Sequence, residues 1–258
     1  MPPVEEMVAI RGTTIRLLRG GRADAPPLVF LHGAGGHTGW MAFLDALSED
    51  FAVYAPEHPG FGKSDDPLWL DEVGDLAYFY LDFLEALGLD RVHLVGTSLG
   101  GWIAAELAVR SQARLASLTL VGAVGILADG KPIDDIFRMS VAENLRRFYA
   151  DPERAARRFG DMANIDMNLV AKNRTTVTRL AYKPRFHNPG LAKWLHRVTV
   201  PTLLVYGDTD GLVPPIFGEA YRAAIPGSRL IVMEDAGHAP FDERKDAFLA
   251  AFRGFVGG

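Results

Sequence analysis

Short apolar strands that alternate with amphipathic helices are the feature of this sequence that most restricts its fold. The runs LVFLHG, RVHLVG, LASLTLVG and VPTLLVYG each end in glycine, and helical patterns such as SLGGWIAAELAVRS lie between them. A strand that is apolar on both faces is typical of a parallel sheet covered by helices on both sides. The sequence therefore predicts an α/β protein built from βαβ crossovers around a mostly parallel, twisted sheet.

This alternation lapses between residues 125 and 196. The segments VAENLRRFYAD, PERAARRFGDM and NLVAKNRTTVTRLAYK in that stretch have helical patterns, and no convincing strand separates them. We therefore predict one core domain formed by residues 1–124 and 197–258, with residues 125–196 inserted as a helical cap over one edge of the sheet. At the start of the chain, MVAI and IRLLRG flank the turn-forming RGTT and predict a small hairpin.

Composition and charge narrow the functional classes. The 258 residues include no cysteine, so a thiolate nucleophile, a disulfide and cysteine-bound zinc are all excluded. The net charge of -5 gives no electrostatic reason to expect nucleic-acid binding. No apolar stretch is long enough to cross a membrane, and the acidic, proline-bearing first residues do not predict a signal peptide. We expect a cytoplasmic protein with a small-molecule substrate, and the sequence indicates no oligomeric state.

One serine stands where a strand becomes a helix, in the run LVGTSLGGWI. Ser98 could simply cap the helix, because serine is a common N-cap residue. A serine that attacks a substrate needs a base, which is generally a histidine oriented by a carboxylate. Asp208 and Asp210 follow the strand TLLVYG, and His238 follows LIVMEDAG. All of them lie at the carboxyl ends of predicted strands, where α/β sheets form their active sites, and this placement favours a nucleophile.

These segments resemble the α/β-hydrolase fold superfamily over nearly the whole chain outside the cap. GTSLG at residues 96–100 is similar to the family's nucleophile elbow, YGDTDGLVP to its acid loop and DAGHAPF to its histidine loop. The resemblance implies that Ser98 is the nucleophile, His238 the base and Asp210 the acid. It implies a turn-forming role for Asp208, and neither a metal nor an organic cofactor.

The motif HGAGG at residues 32–36 is a fourth match to the same family. The resemblance implies that the backbone N–H groups of Ala34 and Leu99 form an oxyanion hole, with Gly35 as an alternative donor. It also implies that His32 is a structural residue that holds this loop in place.

Further side chains are candidates for the substrate pocket. Beside the oxyanion loop these are Gly35, His37 and Trp40, although Trp40 could instead pack at the start of its helix. In the cap, apolar residues could form either a substrate wall or the inner faces of helices: Phe137, Met139, Phe148, Phe159, Met162 and Met167. Trp102 more simply packs in the core.

The histidines and the cap arginines give weaker indications of function than the motifs above. The seven histidines include no H-E-x-x-H motif and no close pair, so we expect no metal site. Four arginines of the cap could recognise an anionic substrate, but runs of this kind are typically solvated: Arg146, Arg147, Arg157 and Arg158.

The leading hypothesis is a serine hydrolase that cleaves a carboxylic ester of a small or medium-sized substrate through an acyl-enzyme on Ser98. Relatives that open epoxides or displace halide have aspartate at the elbow, so the serine argues against both. Relatives that cleave carbon–carbon bonds in ring-fission products keep the three residues but typically follow the histidine with tryptophan, where this chain has HAPF. Carbon–carbon hydrolysis stays open as the alternative. A ligand receptor or scaffold of the same fold, with little turnover, is a second alternative.

Overall fold

The computed structural model describes residues 3–37, 39–161 and 166–257. Within them, eight strands form one sheet in the order β1-β2-β4-β3-β5-β6-β7-β8. The strands are β1 (Val4–Ile10), β2 (Thr13–Gly20), β3 (Pro27–Leu31), β4 (Ala52–Pro56), β5 (Val92–Thr97), β6 (Leu115–Val121), β7 (Thr202–Gly207) and β8 (Arg229–Met233). β1 and β2 form an antiparallel hairpin and β2 also pairs antiparallel with β4, whereas all other pairs are parallel. The predicted α/β class and the predicted hairpin are confirmed.

Helices cover both faces of this sheet. The α-helices in the described residues are α1 (Ala42–Leu47), α2 (Val73–Ala86), α3 (Leu99–Arg110), α4 (Val141–Phe148), α5 (Pro152–Asp161), α6 (Met167–Ala181), α7 (Ile216–Ala224), α8 (Pro240–Glu243) and α9 (Lys245–Val256). Short 3₁₀ turns occupy Ile136–Arg138 and Ala192–Arg197. None of the helices in this part of the chain is long and apolar enough to cross a membrane.

The two apolar cores follow from the alternation of side chains along each strand. In β3, Val29 and Leu31 point to the core that contains the buried faces of α2, α3 and α7. Leu28 and Phe30, the alternate residues, point to the second core, which contains α1 and α9. Because successive side chains of a strand face opposite sides, one apolar run supplies both cores. This is why these strands are apolar throughout.

The segment between β6 and β7 leaves the sheet and returns to almost the same point. The Gly125 N–H donates to Phe186 O at 2.9 Å, and the Asn188 N–H donates to Gly125 O at 2.9 Å. Between these contacts lie α4, α5 and α6, and the described residues there add no strand to the sheet. The helices therefore form where the sequence predicted them, and the boundaries 125–196 stay a prediction. Met162 and the side chains of Phe159 and Arg158 lie outside the described residues.

The end of the chain differs from expectation. The sequence pattern predicts one helix over DERKDAFLAAFRGFV, but the structure divides it at Arg244, whose φ of -124° and ψ of 46° are not helical. The Arg244 side chain donates to the carbonyls of Glu234 and Asp235, both at 3.1 Å. These contacts hold α8 as a single turn against the loop before it, and helical periodicity alone carries no sign of them.

Glycine at position 100 allows α3 to begin against the end of β3. A methyl group at Gly100 would lie 2.1 Å from Leu31 O and 2.5 Å from His32 O. We expect Gly100→Ala to lower the free energy of unfolding by about 1–3 kcal/mol, because backbone atoms would have to move. Urea unfolding measures the change.

Gly254→Ala, in α9, is the matched control for this prediction. A methyl group there would have no atom within 4 Å. Alanine is the better helix former, so the control should gain up to about 1 kcal/mol. Equal effects of the two substitutions would show that the close approach of α3 to β3 does not limit stability.

Candidate active site

The turn from β5 to α3 holds Ser98 in a strained conformation. Its φ is 54° and its ψ is -114°, in a region that L-residues rarely adopt. The Ser98 N–H donates to Val121 O at 2.8 Å, which fixes the turn to the end of β6. Ser98 precedes α3, yet its side chain makes no capping hydrogen bond and remains partly exposed. The capping interpretation therefore does not account for this serine.

Asp210 and His238 form a buried pair at the carboxyl ends of β7 and β8. Asp210 Oδ2 lies 2.7 Å from His238 Nδ1. The other carboxylate oxygen, Oδ1, accepts the N–H groups of Leu212 at 2.9 Å and Val213 at 2.8 Å. The aspartate is thus held on one side by its own loop and presents its other oxygen to the imidazole.

Gly122, directly after the last residue of β6, lies beside this pair. A methyl group at Gly122 would lie 3.0 Å from His238 Nδ1 and 3.5 Å from Asp210 Oδ2. Its neighbour Val121 is the residue that accepts the Ser98 N–H. The structure thus brings the predicted residues to one edge of the sheet. Among the described residues, no hydrogen bond joins the Ser98 hydroxyl to His238, and such bonds are often long before a substrate binds.

Asp208, the other acid of this loop, faces backbone instead. Its Oδ1 accepts the Ala236 N–H at 3.2 Å. Asp208 therefore bonds backbone, as expected, but it joins its loop to the loop after β8, 28 residues away, and its predicted turn-forming role stays a prediction.

The loop HGAGG lies against the serine. A methyl group at Gly33 would lie 3.2 Å from Ser98 Cβ and 3.9 Å from Ser98 Oγ. Leu99 is the first residue of α3, where backbone N–H groups have no acceptor within the helix. In the described part of the chain, neither the Ala34 N–H nor the Leu99 N–H donates to a protein group. Gly35 is exposed, and its carbonyl accepts from the Asn173 side chain at 3.1 Å.

His32 orients the peptide that carries one of these N–H groups. The His58 N–H donates to His32 Nε2 at 3.0 Å, so the His32 proton is on Nδ1. That Nδ1–H donates to Gly33 O at 2.8 Å, and the Gly33 carbonyl belongs to the same peptide unit as the Ala34 N–H. His58 Nε2 in turn donates to His32 O at 2.9 Å, and its Nδ1 accepts from the Tyr80 hydroxyl at 2.5 Å. His32 is a structural residue of this loop, as the resemblance implied.

Both buried histidines are held in the neutral form. Burial lowers the pKa of His32 well below its ordinary value and lowers the pKa of His58 to about 3. An unfolded histidine has a pKa of about 6.5, so between these values only the unfolded chain binds the proton. Unfolding is therefore favoured as the pH falls.

The measurable consequence is a loss of stability in mild acid. The free energy of unfolding should fall by about 1.4 kcal/mol per pH unit for each such histidine between about pH 6 and pH 4. His58→Gln removes one titrating group, so its stability should depend less steeply on pH by that amount. Urea unfolding at several pH values tests this, and equal slopes for the variant and the wild type would contradict it.

The hydrogen bonds and ring contacts that His37 and Trp40 make in the described part of the chain are with residues other than Ser98. The His37 ring lies 5.9 Å from the His32 ring, and burial lowers its pKa to about 4. The Trp40 indole N–H donates to Asp45 Oδ1 at 3.2 Å, and its ring packs on Gly20, where a methyl group would lie 2.5 Å from ring atom Cζ2. The Trp40 side chain therefore packs at the start of its helix, which was the alternative interpretation of this residue.

Of the apolar cap residues, Phe148 reaches the candidate catalytic groups. Its ring lies edge-on to the His238 ring, with 5.1 Å between centroids. Phe137 instead contacts the rings of other residues in the insertion, Tyr182 and Phe186. Met139 is partly buried and packs on the core of α2 and α3. Met167 is exposed, and Trp102 is buried in the core, as predicted.

Most of the described cap arginines singled out from the sequence are paired with acids. Arg147 contacts Asp134 at 2.7 Å, and Arg157 contacts Asp151 at 3.4 Å. Arg146 is exposed. Both contacts are solvent-exposed ion pairs. They favour the interpretation of these arginines as solvated surface residues over a role in binding an anionic substrate.

Two residues near the site escaped the sequence analysis. Asn173, on α6, accepts the Gly62 N–H at 2.8 Å and donates to the Gly35 carbonyl, so it joins α6 to the HGAGG loop. Glu243, on α8, accepts backbone N–H groups from the cap and from the histidine loop. Neither residue lies in a motif, and their partners are distant in the sequence, so no local signal marks them.

A partly exposed serine in a strained strand-to-helix turn, on a mostly parallel sheet with helices on both faces, defines the α/β-hydrolase fold. A sequence profile of the α/β hydrolase family matches residues 28–251. The chain belongs to this family.

Relatives within the family act on different bonds. The chain is 30% identical to the 2-hydroxy-6-oxononadienedioate/2-hydroxy-6-oxononatrienedioate hydrolase of Klebsiella pneumoniae subsp. pneumoniae, over 92% of this chain and 89% of that one. It is 29% identical to the pimeloyl-[acyl-carrier protein] methyl ester esterase of Neisseria meningitidis serogroup C, over 91% of this chain and 95% of that one. The crystal structure of a membrane phospholipase A, a bacterial virulence factor, superimposes on this protein with a TM-score of 0.85 at 27% identity. The superposition covers 99% of this chain and 86% of that one. The protein is therefore a hydrolase.

Proposed function

We propose that this protein is a serine hydrolase that cleaves carboxylic esters of small or medium-sized molecules through an acyl-enzyme on Ser98. The observation that carries the proposal is the buried Asp210–His238 pair, 2.7 Å apart, at the sheet edge that also holds the strained Ser98. A substrate carbonyl that enters this edge meets a nucleophile, a base and free backbone N–H groups together.

The chemistry follows from the hydrogen bonds. Because His238 Nδ1–H donates to Asp210, Nε2 is free to accept the Ser98 proton as Oγ attacks the carbonyl carbon. The electron pair of the carbonyl bond moves to its oxygen, which the N–H groups of Ala34 and Leu99 bind, each contributing about 3 kcal/mol to the transition state. The imidazolium then protonates the leaving alcohol, and a water molecule repeats the sequence to release the acid.

Carbon–carbon bond hydrolysis is the second candidate. The 30% identity to a 2-hydroxy-6-oxononadienedioate/2-hydroxy-6-oxononatrienedioate hydrolase favours it, whereas Ala239 follows the histidine here in place of tryptophan. The same serine, base and N–H groups would serve either reaction, so the shape of the pocket under the cap decides between them. Phe148 places an apolar ring of the cap against the imidazole of His238.

An acyl-chain-length series of p-nitrophenyl esters, run beside coloured ring-fission dienes, tests the proposal. Turnover of the esters with little loss of the diene colour supports the esterase. The reverse result supports the carbon–carbon hydrolase. Tight ligand binding without turnover of either set would favour a receptor or scaffold. A cytoplasmic location and a small-molecule substrate, without nucleic-acid or membrane partners, stay predictions.

A further inference from the structure

The carboxylate of Glu243 bridges the cap and the histidine loop. Its Oε2 accepts the Gly237 N–H at 2.8 Å, and its Oε1 accepts the Ala150 N–H at 2.8 Å. Gly237 directly precedes His238, and Ala150 lies two residues after the end of α4. A half-buried side chain of α8 therefore joins the histidine loop to a cap residue that lies 93 positions before Glu243 in the sequence.

The cap segment that Glu243 holds contacts both loops of the Asp210–His238 pair. Phe148 O accepts the His238 N–H at 2.6 Å, and Arg147 O accepts the Gly211 N–H at 3.0 Å. The Phe148 ring also packs edge-on against the imidazole. The backbone on either side of the Asp210–His238 pair is thus bonded to the last residues of α4.

The approach at this junction is too close for any residue but glycine. A methyl group at Gly237 would lie 2.3 Å from Phe148 O, 2.8 Å from Ala150 N and 2.9 Å from Glu243 Oε2. The histidine loop, the cap segment and the carboxylate therefore form one packed unit. A displacement of the cap segment would be transmitted to the backbone of His238.

We propose that Glu243 is a positioning residue for the base: by accepting the Gly237 and Ala150 N–H groups together, it holds the cap segment 147–150 on the histidine loop and aligns the His238 ring. This role rests on the proposed function of His238. Glu243 acts through backbone groups and does not touch the reacting atoms.

A carboxylate suits this position because it offers acceptors on both oxygens. Glutamine at 243 keeps the size of the side chain but replaces one acceptor by an NH₂ group, which would face a backbone N–H. One of the two hydrogen bonds to Gly237 and Ala150 is then lost, and the amide N–H of the glutamine faces a backbone N–H. Burial raises the pKa of Glu243, while the N–H groups of Gly237, Ala150 and Asp151 act in the opposite direction.

The test compares Glu243→Gln with Asp242→Asn. Asp242 is the adjacent residue of α8, and its carboxylate forms an exposed ion pair with Arg154 of the cap at 3.2 Å. We expect Glu243→Gln to lower kcat for the best ester by about tenfold to a hundredfold with little change in KM, since small displacements of a base are costly. Asp242→Asn should stay close to the wild type in both constants.

A spectroscopic readout separates positioning from stability. The proton on His238 Nδ1 should give a downfield proton NMR signal in the wild type and in Asp242→Asn, and a shifted or broadened one in Glu243→Gln. Urea unfolding of both variants measures the free energy of unfolding, so that a loss of stability can be told from a displaced ring. An unchanged kcat and an unchanged NMR signal in Glu243→Gln would overturn the proposal, even if stability fell. Equal losses of kcat in the two variants would overturn it too.

Failure of the proposed function would be recognised separately. A fluorophosphonate probe reacts with an activated serine, so wild-type protein that neither hydrolyses esters nor labels at Ser98 would refute the nucleophile assignment. The NMR comparison uses no substrate and would still report whether Glu243 controls the position of the His238 ring.

Discussion

Replacing Ser98 with alanine is expected to lower ester hydrolysis by about 10⁴-fold or more, to the level that binding and the backbone N–H groups sustain without a nucleophile. In the proposed mechanism the hydroxyl forms the covalent intermediate, and the chain has no cysteine to replace it. The fold should be retained, because the Ser98 side chain makes no capping hydrogen bond in the structure. Initial rates on the p-nitrophenyl ester series, with circular dichroism of the same samples, measure both effects.

Ser111→Ala is the matched control. Ser111 follows the last residue of α3, at the opposite end of the helix that Ser98 precedes. This control should keep activity within about twofold of the wild type, because the helix terminus at Ser111 lies away from the nucleophile turn. Undiminished hydrolysis in Ser98→Ala would remove Ser98 from the mechanism and leave the fold assignment untouched.

The second large effect is expected at Asp210. In Asp210→Asn the side-chain oxygen can keep the N–H groups of Leu212 and Val213, so the amide NH₂ would face His238 Nδ1. That nitrogen must then act as acceptor, and the ring proton moves to Nε2, where it blocks transfer from Ser98. The geometry stays but the tautomer is wrong, and we expect kcat to fall by about 10⁴-fold near neutral pH.

Asp208→Asn tests whether this loss is specific to the residue paired with His238. Asparagine at 208 can still accept the Ala236 N–H through its oxygen, so activity should stay within about tenfold of the wild type. The two variants are compared by kcat/KM over a range of pH, with unfolding as a check of the fold. A larger loss in Asp208→Asn than in Asp210→Asn would reverse the roles assigned to the two acids.

Local patterns were enough to predict the architecture because each strand and helix is marked by its own apolar periodicity. The run LVFLHG indicated a strand buried on both faces, and β3 supplies Leu28 and Phe30 to one core and Val29 and Leu31 to the other. The order of strand ends likewise predicted that Ser98 and the Asp210–His238 pair would meet at one edge. Parallel strands have their carboxyl ends on the same side, so this inference needs no contact map.

Side-chain direction was less predictable. His37 and Trp40 follow the oxyanion loop in the chain, yet their side chains pack on His32 and Gly20. Sequence proximity to a site does not determine the direction of a loop side chain, because that direction depends on packing against residues that are distant in the sequence. The break in the last helix at Arg244 has a similar cause, since it depends on carbonyls of the preceding loop.

The sequence by itself determined the fold class, the helical character of the insertion and the residues that could carry the chemistry, because periodicity and motif spacing are local properties. Only the tertiary structure showed how the cap meets the site: Asn173 reaches Gly35 across 138 residues, and Glu243 reaches Ala150 across 93. The physical reason is that each of these hydrogen bonds joins a side chain to a backbone group far away in the chain. A backbone N–H or C=O has no sequence signature, and its partner becomes known only when the packed elements bring the two together.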